Sequence, residues 1–184
     1  MAGSRRLGRQ QAFVILCSID ISGNPVHRAA QHMWGSSAIV EQLDPDEKPL
    51  VQRELVDDEK EFATHLVQGT LRNLEKIDQI LDSATHNWTL DRMSLVDRNL
   101  LRLGAFEILF ELDTPIRISI NEAVELAKKF GEYSSIQGAK GRYSPQFVNG
   151  VLDKVASQSS RDYKRSGPKR TTKQVRKKHR GFRS

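Results

Sequence analysis

Few side chains in this chain could do covalent or metal chemistry: five histidines and one cysteine, set beside arginines and lysines crowded at both ends. His27, His32, His65, His86 and His179 show no metal-ligand spacing. His27 and His32 are five apart, which puts them on different faces of a helix, and HExxH is absent. Cys17 lies in the apolar run AFVILCSI, where a thiol serves as a small core or interface residue rather than a nucleophile. A lone cysteine also builds neither a disulfide framework nor a cysteine zinc cluster. QGAKGRYS (137–144) looks like a phosphate loop, but it lacks the spacing G-x-x-x-x-G-K-[ST] and no strand precedes it. No pattern assembles nucleophile, base and oxyanion donors, so neither an enzyme nor a metal or cofactor site is expected.

Binding chemistry is better represented. Arg5, Arg6 and Arg9 fall in the first turns of the predicted helix SRRLGRQQAFVILCSID. A helix start already holds about half a positive charge, so each added cation costs about 0.3–1 kcal/mol there. A phosphate at that start reverses the sign, because free N–H groups and guanidinium forks then act together. Spacings of three and four let one face present all three arginines. The alternative is a frayed, solvated terminus. At the other end, residues 161–184 hold 11 of the 29 Lys+Arg and one of the 23 acids, which leaves 18 bases against 22 acids before them. An acidic body with basic ends points to a polyanionic partner, and to nucleic acid over membrane because no amphipathic basic helix flanks it. The tail KRSGPKRTTKQVRKKHRGFRS has too little apolar content to offset ordering and is expected to be disordered. It adds nonspecific nucleic-acid affinity or serves solubility alone.

The elements that must hold these residues read as helices almost throughout. Ala12, Leu16 and Ile19 form a stripe for a helix over about 5–21, and Pro25 starts a second through Trp34. Residues 35–56 read as a polar, acidic loop. A third helix starts near Asp57 or Asp58, and a fourth continues through Ile77, Leu81 and Ala84, directly or after a kink. After a turn at 87–94, with Ser94 or Asp91 as cap, residues 95–112 form the most apolar segment and a central core helix. Residues 113–119 read as a break with a short extended stretch, and Ser119 with Glu122 as a capping box for the next helix, ending near Gly131. A loop spans 132–144. Ser144 and Pro145 then start a last helix with Phe147, Val151, Leu152 and Val155 on one face. The expectation is an all-α fold of about seven helices: a domain over residues 1–157 and a disordered Lys/Arg-rich tail over 158–184. No run approaches the roughly 20 apolar residues that span a bilayer. The apolar stretch after the basic N-terminus is short and lacks a cleavage site, so a cytoplasmic protein without membrane contact is expected.

Several segments in order resemble the NusB family of bacterial transcription antitermination factors: RRLGRQQAFVILCSID, FATHLVQGTLRNLEKIDQIL, WTLDRMSLVDRNLLRLGAFEILF, PIRISINEAVELAKKFG and FVNGVLDKVA. The combination of LLRLGAFEIL, INEAVELAKKFG and FVNGVLD is highly specific, and the resemblance covers about Arg5 to Val155. It implies two small helical bundles packed across each other. It also implies pairing with the ribosomal protein NusE, and joint binding of boxA-type single-stranded RNA within an RNA polymerase antitermination complex, notably in ribosomal RNA transcription. By that resemblance Arg5, Arg6 and Arg9 belong to the RNA surface, joined by Gln146 and Phe147, the latter equally suited to the core. Asp97 and Arg98 match the family's acid–base pair for the NusE contact, and Cys17 stands where some members carry an aromatic contact residue. Lys140, Arg142 and Tyr143 lie in a loop longer than is usual in the family, and either extend the RNA surface or are an insertion. Some members self-associate, so a homodimer stays open. Two other readings are a helical adaptor that binds only protein, and the NusB-like domain of an RNA cytosine methyltransferase. The latter needs roughly 200 further residues with a parallel sheet, where this chain carries a basic tail.

Overall fold

Helical periodicity organises every element in the computed structural model, which describes residues 2–22, 55–85, 89–130 and 145–166. Among the described residues there are six α-helices: α1 (Ala2–Ser22), α2 (Asp57–Arg72), α3 (Leu74–Ala84), α4 (Leu95–Phe110), α5 (Ile116–Phe130) and α6 (Pro145–Ser166), with a 3-10 turn at Leu90–Arg92. No strand occurs among the described residues. The helix expected at 25–34 and the loop carrying Lys140, Arg142 and Tyr143 lie outside them, as do residues 167–184.

The packing forms two small groups that share one helix. α1 packs chiefly on α2, while α4, α5 and α6 pack on one another; α4 touches α1 and α2 as well, and α3 closes against α4 and α6. α4 therefore has neighbours on nearly all sides, which is why its sequence is the most apolar. Leu100, Leu101 and Leu103 are fully buried there, with Leu66, Ile77, Leu81, Val148, Leu152 and Val155 from the surrounding helices. α2 and α4 meet closely because position 69 has no side chain. A Cβ on Gly69 would stand 2.1 Å from Cζ of Phe106.

Local signals explain most boundaries. Three acids, Asp57, Asp58 and Glu59, occupy the first turn of α2, where they favour the dipole. Asn73 separates α2 from α3, its side-chain amide donating to the Gly69 carbonyl at 2.8 Å. Ser94 caps α4, its hydroxyl accepting from the Asp97 N–H at 3.1 Å.

Two expectations are corrected. Residues 116–119 are helical rather than extended, because the Pro115 carbonyl accepts from the N–H groups of Ile118 and Ser119 and starts α5 one turn early. Ser119 is then buried inside α5, and its hydroxyl has no partner among the described residues, so it caps nothing. At the other end, α6 stays helical through Ser166, which makes 158–166 helical and not disordered. Extending an existing helix is inexpensive compared with nucleating one. Arg161, Lys164 and Arg165 also stand in the sequence at a C-terminal end, where cations complement the dipole.

Candidate nucleic-acid interface

The start of α1 lies against α2 and α5, and its three arginines have different fates. Arg5 is exposed, its guanidinium 5.4 Å from the centroid of the Phe62 ring. The approach is close because a Cβ on Gly8 would meet the Phe62 ring edge at 2.8 Å. Arg6 is 55% exposed and forks onto Glu122 of α5, Nε donating to Oε2 at 3.1 Å and Nη2 to Oε1 at 2.8 Å. This pairing holds the Arg6 guanidinium further toward its charged form. One turn along, Lys129 donates to the Gln10 side chain at 3.1 Å, so long polar side chains bridge α1 and α5 at two points.

Arg9 is the correction. Its side chain is 5% exposed, and Nε and Nη2 both donate to Glu107, whose side chain is 2% exposed, at 2.8–3.1 Å. The three arginines do not share an open face; burial against α2 and α4 takes the third inside. Burial also pushes the Glu107 carboxyl above the usual carboxylate range, and the attraction of Arg9 opposes that only in part. Gln146 is exposed in the first turn of α6, and Phe147 is half-buried against the core.

The other end of α1 mirrors the first. Asp20 places a negative charge at a helix C-terminus, where the dipole disfavours it. Its Oδ2 accepts from Arg98 Nε at 2.9 Å, Arg98 Nη2 at 2.8 Å and Asn99 Nδ2 at 2.8 Å, and lies 3.5 Å from Arg102 Nη1. Arg102 forks in turn onto Asp78 of α3. One carboxylate thus ties α1 to α4 and, through Arg102, to α3. Asp20→Ala is expected to cost about 1–2 kcal/mol in urea unfolding, since partly buried charge-assisted donors lose their acceptor. An unchanged midpoint would show that Asp78 alone holds the cluster.

Among the residues expected to contact a partner here, Asp97 is a correction. It is buried, and its carboxylate accepts the Ser94 hydroxyl hydrogen bond at 2.5 Å, so it serves the cap of α4. Arg98 keeps 19% of its side chain exposed, beside the Asp20 carboxylate. Cys17 is half-buried at the same end, and its thiol is pushed far up by burial and by the Asp20 charge, against a smaller pull from Arg98. Such a thiol is no nucleophile. Ile21 one turn on is 69% exposed.

Residues to which the sequence assigns no place in the site are Asp20, Phe62, Glu107, Lys129 and Glu122, the last expected in a capping box. Asp20 carried a signal, since an acid ending a helix is the same anomaly as arginines beginning one. Phe62, Glu107 and Lys129 are visible only as ordinary members of amphipathic helices. Among the described residues no group of three His, Cys, Asp or Glu could hold a metal ion, and no helix is long and apolar enough to cross a membrane.

Comparison with known proteins bears on this arrangement. The model of the NusB family matches residues 6–157. The transcription antitermination protein NusB of Myxococcus xanthus (strain DK1622) is 38% identical over 154 residues, which cover 84% of this chain and 95% of that protein. The solved structure of T. maritima NusB superimposes with a TM-score of 0.62 at 31% identity, covering 84% of this chain and 91% of that one. A crystal structure of the antitermination factors NusB and NusE in complex with double-stranded RNA contains a chain similar to this one. The TM-score is 0.63 at 26% identity, with 86% of this chain and 99% of that chain covered.

Proposed function

The chain belongs to the NusB family, and from that premise we propose that it is a transcription antitermination factor. It binds boxA-type nascent RNA together with ribosomal protein NusE, and supports ribosomal RNA transcription within an RNA polymerase antitermination complex. It works as a cytoplasmic regulator, not as an enzyme. The observation that carries this reading is the exposure of Arg5 and Arg6 at the start of α1. Glu122 already balances Arg6, but Arg5 has no acidic partner among the described residues. A cation at the positive end of a helix is unfavourable until an anion arrives, and a ribose-phosphate strand supplies one.

The body over residues 1–157 holds the RNA surface, which Gln146 and Phe147 join with the arginines, while residues 158–184 add sequence-independent attraction to the phosphate backbone. Lys140 and Arg142 extend that surface. The NusE contact lies at the opposite end of α1, around Arg98, Cys17 and Ile21. Support for it is an exposed isoleucine near an arginine that keeps a fifth of its side chain at the surface, an apolar and a charged anchor at one end of α1.

The test is RNA affinity by fluorescence anisotropy, with NusE present, for the full chain and for Arg5→Gln combined with Arg6→Gln. Each phosphate neutralised contributes a slope of about −0.7 in log K against log salt for single strands. Losing two contacts is expected to flatten the slope by about 1.4 and to weaken binding roughly 25-fold at 0.1 M salt. A double variant with unchanged affinity and slope would remove RNA from this tip.

A further inference from the structure

We propose that Glu122 is a positioning residue for RNA: it grips the inner edge of the Arg6 guanidinium and presents the outer edge to a phosphate at the start of α1. The inference rests on the reading above that RNA meets that tip. A guanidinium carries five N–H donors in a rigid fork. Two of them donate to Glu122 in parallel, and among the described residues the other three have no protein acceptor. The exposures agree with a grip from beneath, because the Glu122 side chain is 15% exposed and that of Arg6 55%. Glu122 can take this role because α5 begins at Ile116, which places it on the second turn and away from any capping duty. Its own position is set by Ile120, Ala123 and Ala127, which are buried on the other side of the helix.

Two effects of the carboxylate compete. It orders a long side chain before RNA arrives, and sparing that ordering at the moment of binding corresponds to about two- to ten-fold in affinity. It also repels phosphate, but that repulsion acts across solvent and is screened by salt more than the direct 2.8 Å contact, whose carboxylate is only 15% exposed. Positioning therefore wins, and by more as salt rises. Among the described residues Arg5 has no such partner, only the face of Phe62, so Arg6 is the better ordered of the two.

The experiment measures anisotropy of boxA-type single-stranded RNA and a scrambled control on the full chain at 0.1 and 0.3 M salt. It compares Arg6→Gln, Glu122→Gln, Glu122→Asp and the Arg6→Gln/Glu122→Gln pair, each checked for native circular dichroism. Glu122→Gln is expected to weaken binding about two- to ten-fold, more at the higher salt, and to add nothing once Arg6 is already glutamine. Glu122→Asp keeps the charge but falls short of the fork, so it should weaken binding too; a purely electrostatic role would leave it unchanged. Tighter or unchanged binding by Glu122→Gln, or a loss that persists in the pair, overturns the inference. If Arg6→Gln weakens binding and Glu122→Gln does not, only the positioning role falls. If Arg6→Gln has no effect, the RNA reading of this tip falls as well.

Discussion

Arg9→Met should destabilise the protein by about 3–5 kcal/mol, because it strands the Glu107 carboxylate in the interior without its cation. Adding Glu107→Leu should recover most of that loss, since an apolar pair of similar volume needs no desolvation. The raised pKa of Glu107 explains the asymmetry: burial outweighs the attraction of Arg9, so the pair orients α1 on α4 more than it stabilises the fold. The acid dependence follows with a definite sign. A carboxyl whose folded pKa lies above its unfolded value favours the folded state at low pH, and that contribution is lost as pH rises through the folded pKa. Without Arg9 the folded pKa climbs further. The deficit of Arg9→Met against the parent chain is therefore smallest below the ordinary carboxylate range and grows as pH rises above it. Urea titrations between pH 4 and 8 measure this, and a deficit independent of pH would mean that Glu107 finds another cation. The double variant, folded, should also keep its RNA affinity, which separates a buried arginine from an RNA ligand.

Gly69→Ala tests the close crossing of α2 and α4. Alanine is the better helix former by about 1 kcal/mol, yet its methyl would fall 2.1–2.8 Å from three ring atoms of Phe106. That ring is 2% exposed and is stacked at 5.7 Å on Phe110, so it has little room to yield. Overpacking should prevail, for a net loss of about 1–3 kcal/mol. Phe106→Leu in the same chain should return part of it by vacating the space. Gly150 in α6 is the control, because a Cβ there meets nothing within 4 Å. Gly150→Ala should gain about 0.5–1 kcal/mol. Equal effects at the two glycines would show that helix propensity, and not the crossing, decides both.

Sequence and tertiary structure each decided a distinguishable part of this protein. Helix periods, a cap at Ser94 or Asp91 and the Pro145 start are properties of a few neighbouring residues, so the linear order carried them; the structure chose Ser94 and put the break at Asn73. So did the family motifs and the arginines at the positive end of α1. The start of α5 was misread because IRISI alternates like a strand, and only burial of Ser119, Ile120 and Ala123 against the other helices selects the helix. Which arginine stays at the surface was not legible either. Arg6 and Arg9 look alike in the chain, but their acids lie 116 and 98 positions away, on α5 and α4. Charge is a property of the residue, and exposure is a property of what packs over it. Only the crossing of α1 over α2, α4 and α5 turned one arginine into a core cation and left two to face solvent.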